Sequence, residues 1–197
     1  WSKGSSASGP KRSESTYAAA AKSVVVRSDY EWSQTESNWQ HERKTGEVLD
    51  WNELIFYEVH PKGFTQNPAS GVEHPGTYRG IGEMAPYLSD LGITALELLP
   101  IHEKPLDGGY WGYNSLSFFA PEHSFSADFL RTGQVNEVLN EFKWMVDQLH
   151  QEGVEVILDV VYNHTGEGGL WRERLYFETY DEAHAVNYDP KEVAGLY

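Results

Sequence analysis

The chain has 197 residues, 40% hydrophobic and 14% aromatic, a composition that supplies a large core and argues against disorder. Its formal charge of −15, from 15 basic and 30 acidic residues, argues against nucleic acid or an anionic membrane as partner and suits a neutral or cationic ligand. With no cysteine there is neither a disulfide framework nor a thiolate zinc site, and no apolar run approaches the length of a bilayer span.

The sequence opens at Trp1 without a methionine or a visible signal peptide and reads as a part of something longer. Residues 1–22, rich in Ser, Gly, Ala and Lys, suit a loop or linker, and Val24 to Val26 a short extended piece. The polar, acidic stretch 27–50 carries Trp32 and Trp39 about two helical turns apart. Exposed tryptophans can bind sugars, but in a connecting segment they more often pin it to the domain it crosses. Leu54 to His60 is a strand pattern closed by Pro61 and Gly63.

After a polar loop, residues 80–91 place Met84, Tyr87, Leu88 and Leu91 on one helical face, with Pro86 in the first turn and Gly92 as the stop. Ile93 to Pro100 is a second strand. A loop of roughly thirty residues follows, long enough to suspect function. It holds Gly109-Tyr-Trp-Gly-Tyr-Asn114 and Phe118-Phe-Ala-Pro121. An amphipathic helix is expected over 135–152, with Val138, Leu139, Phe142, Met145, Val146 and Leu149 at helical spacing and Gly153 closing it. The third strand starts at Val154, expected to be buried in a parallel sheet, and runs into Asp159, Asn163 and His164.

Strand, helix, strand, helix, strand with long crossovers is an α/β arrangement, either a doubly wound sheet or a (β/α)8 barrel. No glycine-rich phosphate loop follows the first strand and long loops follow the strand ends, which favours the barrel. Three strands make it a partial TIM barrel, three β/α units behind an N-terminal connecting segment.

Polar groups at the C-terminal ends of parallel strands open onto the place where ligands bind. Asp159 and His164 therefore have two readings: a carboxylate and imidazole satisfied by neighbouring loops, or members of a site. Phe118 and Phe119 read as core anchors, whereas Tyr110, Trp111 and Tyr113, each next to or close by Gly109 or Gly112, suit a flat face offered to a ligand. A stacking aromatic beside a carboxylate and an imidazole is the equipment of a sugar subsite.

Asp159-Val-Val-Tyr-Asn-His164 resembles the first conserved region of the α-amylase superfamily of glycoside hydrolases. Tyr57-Glu-Val-His-Pro-Lys-Gly-Phe-Thr65, Tyr110-Trp-Gly-Tyr-Asn-Ser-Leu-Ser-Phe-Phe-Ala-Pro121 and Asn163-His-Thr-Gly-Glu-Gly-Gly169 resemble its isoamylase and glycogen-debranching branch. The resemblance implies a connection from an upstream carbohydrate-binding β-sandwich over 1–50, the first part of the catalytic barrel over 51–165, and the start of an insertion after strand three over 166–197, where Trp171, Tyr176, Tyr180 and Tyr188 would help wall a cleft.

It also implies site roles. Asp159 supports the catalytic centre, His164 hydrogen-bonds the glucose before the scissile bond, Tyr113 stacks on that glucose with Trp111 nearby, and Asn163 matches a calcium-ligating position of many α-amylases. The stretch His102-Glu-Lys-Pro-Leu-Asp107 departs from the calcium-binding form found in some isoamylases, so calcium stays open but is not favoured, and no other cofactor is expected.

The implied activity is retaining hydrolysis of α-1,6 branch linkages in glycogen or amylopectin-type glucans, in the cytoplasm, by an aspartate and a glutamate about 5 Å apart. In the family these two residues follow strands four and five. They are not expected among these 197 residues, and the chain alone is expected to be inactive. The alternative is a non-catalytic glucan-binding or regulatory subunit of isoamylase type. Neither reading assigns an oligomeric state.

Overall fold

A computed structural model describes residues 24–27, 29–45, 51–104 and 109–164. The expectations for residues 1–22 and 166–197 lie outside that set. In chain order the elements are α1 (Gln34–Thr45), β1 (Phe56–Val59), α2 (Tyr78–Glu83), α3 (Ala85–Asp90), β2 (Ala95–Leu98), β3 (His102–Glu103), β4 (Ser117–Pro121), α4 (Ala127–Thr132), α5 (Val138–Gln151) and β5 (Glu155–Leu158).

Strands β1, β2 and β5 form one parallel sheet with β2 in the middle. Phe56 stands against Ala95 and Ala95 against Glu155, so the three strands run level. The pairing continues past the strand ends, where Leu99 N–H donates to the Val59 carbonyl at 3.0 Å and Asp159 N–H to the Leu98 carbonyl at 2.9 Å.

Side chains alternate across a strand. Val59, Leu96, Leu98 and Val156 join Tyr78, Ile81, Leu88, Met145 and Leu149 in the core between sheet and helices. Fully burying one such leucine is worth about 1.5–3 kcal/mol. The opposite face, by the same alternation, carries Glu58, Glu97, Ile157 and, just past the strand, Asp159.

Among the described residues only β2 is buried throughout its apolar positions, and β5, which has one neighbouring strand there, is half-buried with Leu158 exposed. That corrects the expectation of a buried third strand.

The helix expected over 80–91 is two helices. Thr77 caps the first, its hydroxyl accepting from Gly80 N–H at 3.1 Å, and the break falls at Met84. Pro86 has no N–H to give Gly82 and its ring collides with that turn, so the helix restarts with Pro86 in its first turn. The buried face, Tyr78, Ile81, Ala85 and Leu88, keeps helical spacing across the break but lies to one side of the expected one. Tyr87 and Leu91, expected inside, are 50% and 54% exposed. Gly92 does end the helix, at φ +85°.

Helix α5 follows expectation, with Val138, Met145 and Leu149 buried. The thirty-residue loop is more structured than expected: β3 and β4 pair antiparallel, a 3-10 turn spans His123–Phe125, and Ser126 caps α4 by accepting from Phe129 N–H at 3.1 Å. Phe119 is 99% exposed, which corrects its reading as a core anchor. It lies on the wet side of a two-stranded ribbon, while Phe118, half-buried on the other side, meets His102 edge-on at 5.5 Å and Tyr162 at 5.3 Å.

Val24 to Val26 run exposed and without strand pairing. Beyond them the connecting segment is pinned to α5. Asp147 is buried and accepts from Tyr30 O–H at 2.8 Å, Ser33 N–H at 3.2 Å and Ser33 O–H at 2.5 Å. Trp39 stacks flat on His150 at 4.6 Å, and His150 Nδ1 meets the buried Glu36 carboxylate. Trp32 packs edge-on against Tyr30 at 5.0 Å. Trp39 anchors the segment to α5, as expected, whereas the ring contact of Trp32 stays within the segment.

Candidate functional site

The C-terminal ends of β1, β2 and β5 release the chain at His60, Leu99 and Asp159. The loop 109–116 folds back over these ends. Gly112 makes this possible: its φ is +84°, and a Cβ there would meet the Pro100 carbonyl oxygen at 3.0 Å. Tyr113 is thereby delivered to Asp159, and its hydroxyl donates to Oδ2 at 2.6 Å. Two of the residues singled out from sequence, 46 positions apart, are in direct contact.

The Tyr113 phenol is pushed up to about 12 by its bond to Asp159, then by burial, then by the negative charges of Asp159, Glu58 and Glu97. It stays a donor across the physiological range, and the carboxylates of three neighbouring strands face one mouth. Such a mouth repels anions and offers acceptors to a hydroxyl-rich ligand.

Trp111 is 57% exposed and sits edge-on to Tyr110 at 5.4 Å. Tyr110 presents only one face, since the other lies flat on His60 at 3.9 Å. Asn163 and His164 are exposed and pair with each other, His164 Nδ1 on Asn163 Oδ1 at 2.8 Å. Among the described residues they make no hydrogen bond to Asp159 or Tyr113. The structure thus joins Tyr113 to Asp159 and leaves Trp111, Asn163 and His164 on the surface around them.

His60 was not singled out from sequence. It lies buried beneath the aromatic loop, with Nε2 2.6 Å from the Tyr110 carbonyl. Its place immediately after β1, inside the Tyr57 to Thr65 motif, is the signal that could have found it. Lys104 was missed as well; its Nζ donates to the Gly109 carbonyl at 2.7 Å and ties down the start of the loop.

The family resemblance raises calcium at Asn163. Calcium takes six to eight oxygens, with carboxylates prominent. The Asn163 amide oxygen accepts from His164, and neither of the two acid–histidine clusters among the described residues contains Asp159. The buried cluster Glu103, Glu122 and His123 is held by protein donors. Glu103 takes His123 N–H at 3.2 Å and Nδ1 at 2.9 Å, while Glu122 takes Lys104 N–H at 3.0 Å and Ser124 O–H at 2.6 Å. Its carboxylates are thus engaged by the protein's own donors, and the cluster is separate from Asn163.

The description "Alpha amylase, catalytic domain" matches residues 58–191. The chain belongs to the α-amylase family. Within this family it is 40% identical over 155 residues to the "Glycogen operon protein GlgX homolog" of Mycobacterium bovis, an alignment covering 73% of this chain and 21% of the relative. It is 39% identical over 158 residues to the "Glycogen debranching enzyme" of Pectobacterium atrosepticum, covering 75% and 22%. Among solved structures it is similar to the pullulanase of Anoxybacillus sp. LM18-11, with TM-score 0.52 and 32% identity over 59% of this chain and 19% of that one. The chain spans about a fifth of the length of the curated relatives it matches. Its parallel sheet and helices are an arc of the family's α/β barrel. Among the described residues no helix is long and apolar enough to cross a membrane.

Proposed function

We propose that these residues form the first third of the barrel of a glycoside hydrolase that cleaves α-1,6 branch linkages in glycogen or amylopectin-type glucans, behind a connecting segment from an upstream domain. The observation that carries the reading is the Tyr113 hydroxyl on Asp159 at the open ends of three parallel strands. The bond fixes a ring that can stack on the apolar face of a glucose and orients a carboxylate toward the same ring's hydroxyls. Trp111 extends the aromatic wall. His164, its Nδ1 engaged by Asn163, has Nε2 to offer a sugar hydroxyl. The resemblance assigns the reacting aspartate and glutamate to barrel strands beyond these three, so catalysis needs the longer protein. On the resemblance alone, the reading places this turnover in the cytoplasm.

The test is to incubate the full-length protein with amylopectin and follow release of linear chains by their reducing ends, beside a His164→Ala variant. Release that falls by orders of magnitude in the variant supports the reading. No release from a folded, glucan-binding protein points to a non-catalytic subunit. No metal is required at Asn163 on this reading, and chelation with EDTA should leave both the melting temperature and the release unchanged. A drop in either that added calcium restores would overturn that part.

A further inference from the structure

Both nitrogens of the His60 ring are committed. Nδ1 accepts from the backbone N–H groups of Lys62 and Gly63, each at 3.1 Å, and so carries no proton. Nε2 carries it and donates to the Tyr110 carbonyl at 2.6 Å. The ring also lies flat against Tyr110 and edge-on to Trp111 at 5.9 Å and Phe125 at 5.8 Å. Gly63 lets Tyr110 settle this close, because a Cβ there would stand 2.5 Å from the Tyr110 hydroxyl. One imidazole therefore joins the turn after β1 to the aromatic loop that walls the cleft.

On the reading of this cleft as a glucan site, we propose that His60 is a positioning residue: in its Nε2–H form it holds the Tyr110–Trp111 turn in place for sugar, and protonation of Nδ1 releases that turn. A proton on Nδ1 would face two N–H donors in place of accepting from them, and a buried donor without an acceptor is costly. Burial lowers the readiness of the ring to protonate; the Nε2 bond to Tyr110 opposes this, and the cations Lys104 and Lys62 reinforce it. Since the folded value lies below the ordinary 6.5, the contribution of the neutral ring is complete above that pH and is lost as the pH falls through the lowered value.

The test uses the full-length protein as wild type, His60→Gln and His60→Phe, with maltoheptaose as probe. Affinity is measured by calorimetry from about pH 8 down to about pH 5. Wild-type affinity should be level above 6.5 and fall roughly tenfold on the acid side. His60→Phe keeps a flat ring without either nitrogen and should bind roughly tenfold more weakly at every pH, with no acid limb. His60→Gln can still donate to the Tyr110 carbonyl and does not titrate; its affinity should stay within about threefold of wild type and be flat with pH. A pH-independent wild type, or an acid limb kept in both variants, overturns the proposal. Circular dichroism checks folding, and should neither variant fold, the pH series is repeated with His164→Ala: an acid limb kept there supports the proposal, and its loss assigns the limb to His164 and overturns it.

Amylopectin hydrolysis is measured in parallel to separate the two readings. Acid-sensitive binding without hydrolysis keeps the role of His60 and removes debranching, whereas hydrolysis with acid-insensitive binding does the reverse. Absence of binding at every pH overturns both.

Discussion

The contact between Tyr113 and Asp159 joins a neutral donor that stays protonated to a carboxylate whose other oxygen has no hydrogen-bond partner among the described residues. Replacing Tyr113 by Phe keeps the ring that can stack on sugar and removes only the 2.6 Å bond. A hydrogen bond to a charged group is worth about 1.5–3 kcal/mol, so kcat/KM of the full-length protein on amylopectin should fall roughly ten- to a hundredfold. Reducing-end assays check this, and a change within about twofold would show that the ring alone matters. These two residues were legible because a carboxylate at the end of a β-branched run and a tyrosine directly after a glycine in an aromatic loop are local patterns. His60 was not, since its role depends on Tyr110, 50 positions away. Phe119 misled for a related reason: sequence shows its apolarity, and only the strand pairing shows which side of the ribbon it takes.

Elements were legible where their signal was periodic and uninterrupted. Helix α5 has that signal, but it also turns Asp147 and His150 toward the connecting segment, and the polar α1 gave no apolar period to announce itself. Helices α2 and α3 were merged because the apolar spacing continues across Met84, and only the demands of Pro86 on the preceding turn separate them. Gly82 sits in α2 against Trp144, with a Cβ position 2.5 Å from the indole. Gly82→Ala must push that indole off α2, at a cost of about 1–3 kcal/mol that a urea titration of the full-length protein will show as a lower midpoint. An unchanged midpoint would mean that the indole swings away freely. Asp147→Ala acts elsewhere on α5: it strands Tyr30 and Ser33, costing about 1–3 kcal/mol at the anchor of the segment. Limited proteolysis should then cut between residues 24 and 33 faster in the variant, while cutting within the sheet stays as in wild type.

At the scale of the whole molecule the sheet is unevenly covered. Its middle strand is buried, whereas Ile55, Phe56 and Tyr57 on one flank and Leu158 and Tyr162 on the other are exposed. Parallel sheets are ordinarily covered on both faces, and an open strand edge is a template for pairing with another chain. The charge of −15 opposes such pairing at long range, but salt screens it within about 10 Å at 0.1 M. The 197-residue polypeptide by itself should therefore self-associate with rising concentration, more strongly in high salt than in low, and release nothing from amylopectin. Salt strengthens this association only if apolar edges drive it against charge repulsion; association through ion pairs would weaken instead. Sedimentation velocity at two salt concentrations distinguishes these outcomes. A monomer at both would mean that the flanks are covered by residues outside those described, and the full-length protein, with more barrel to pair those edges, should sediment as one species under the same conditions.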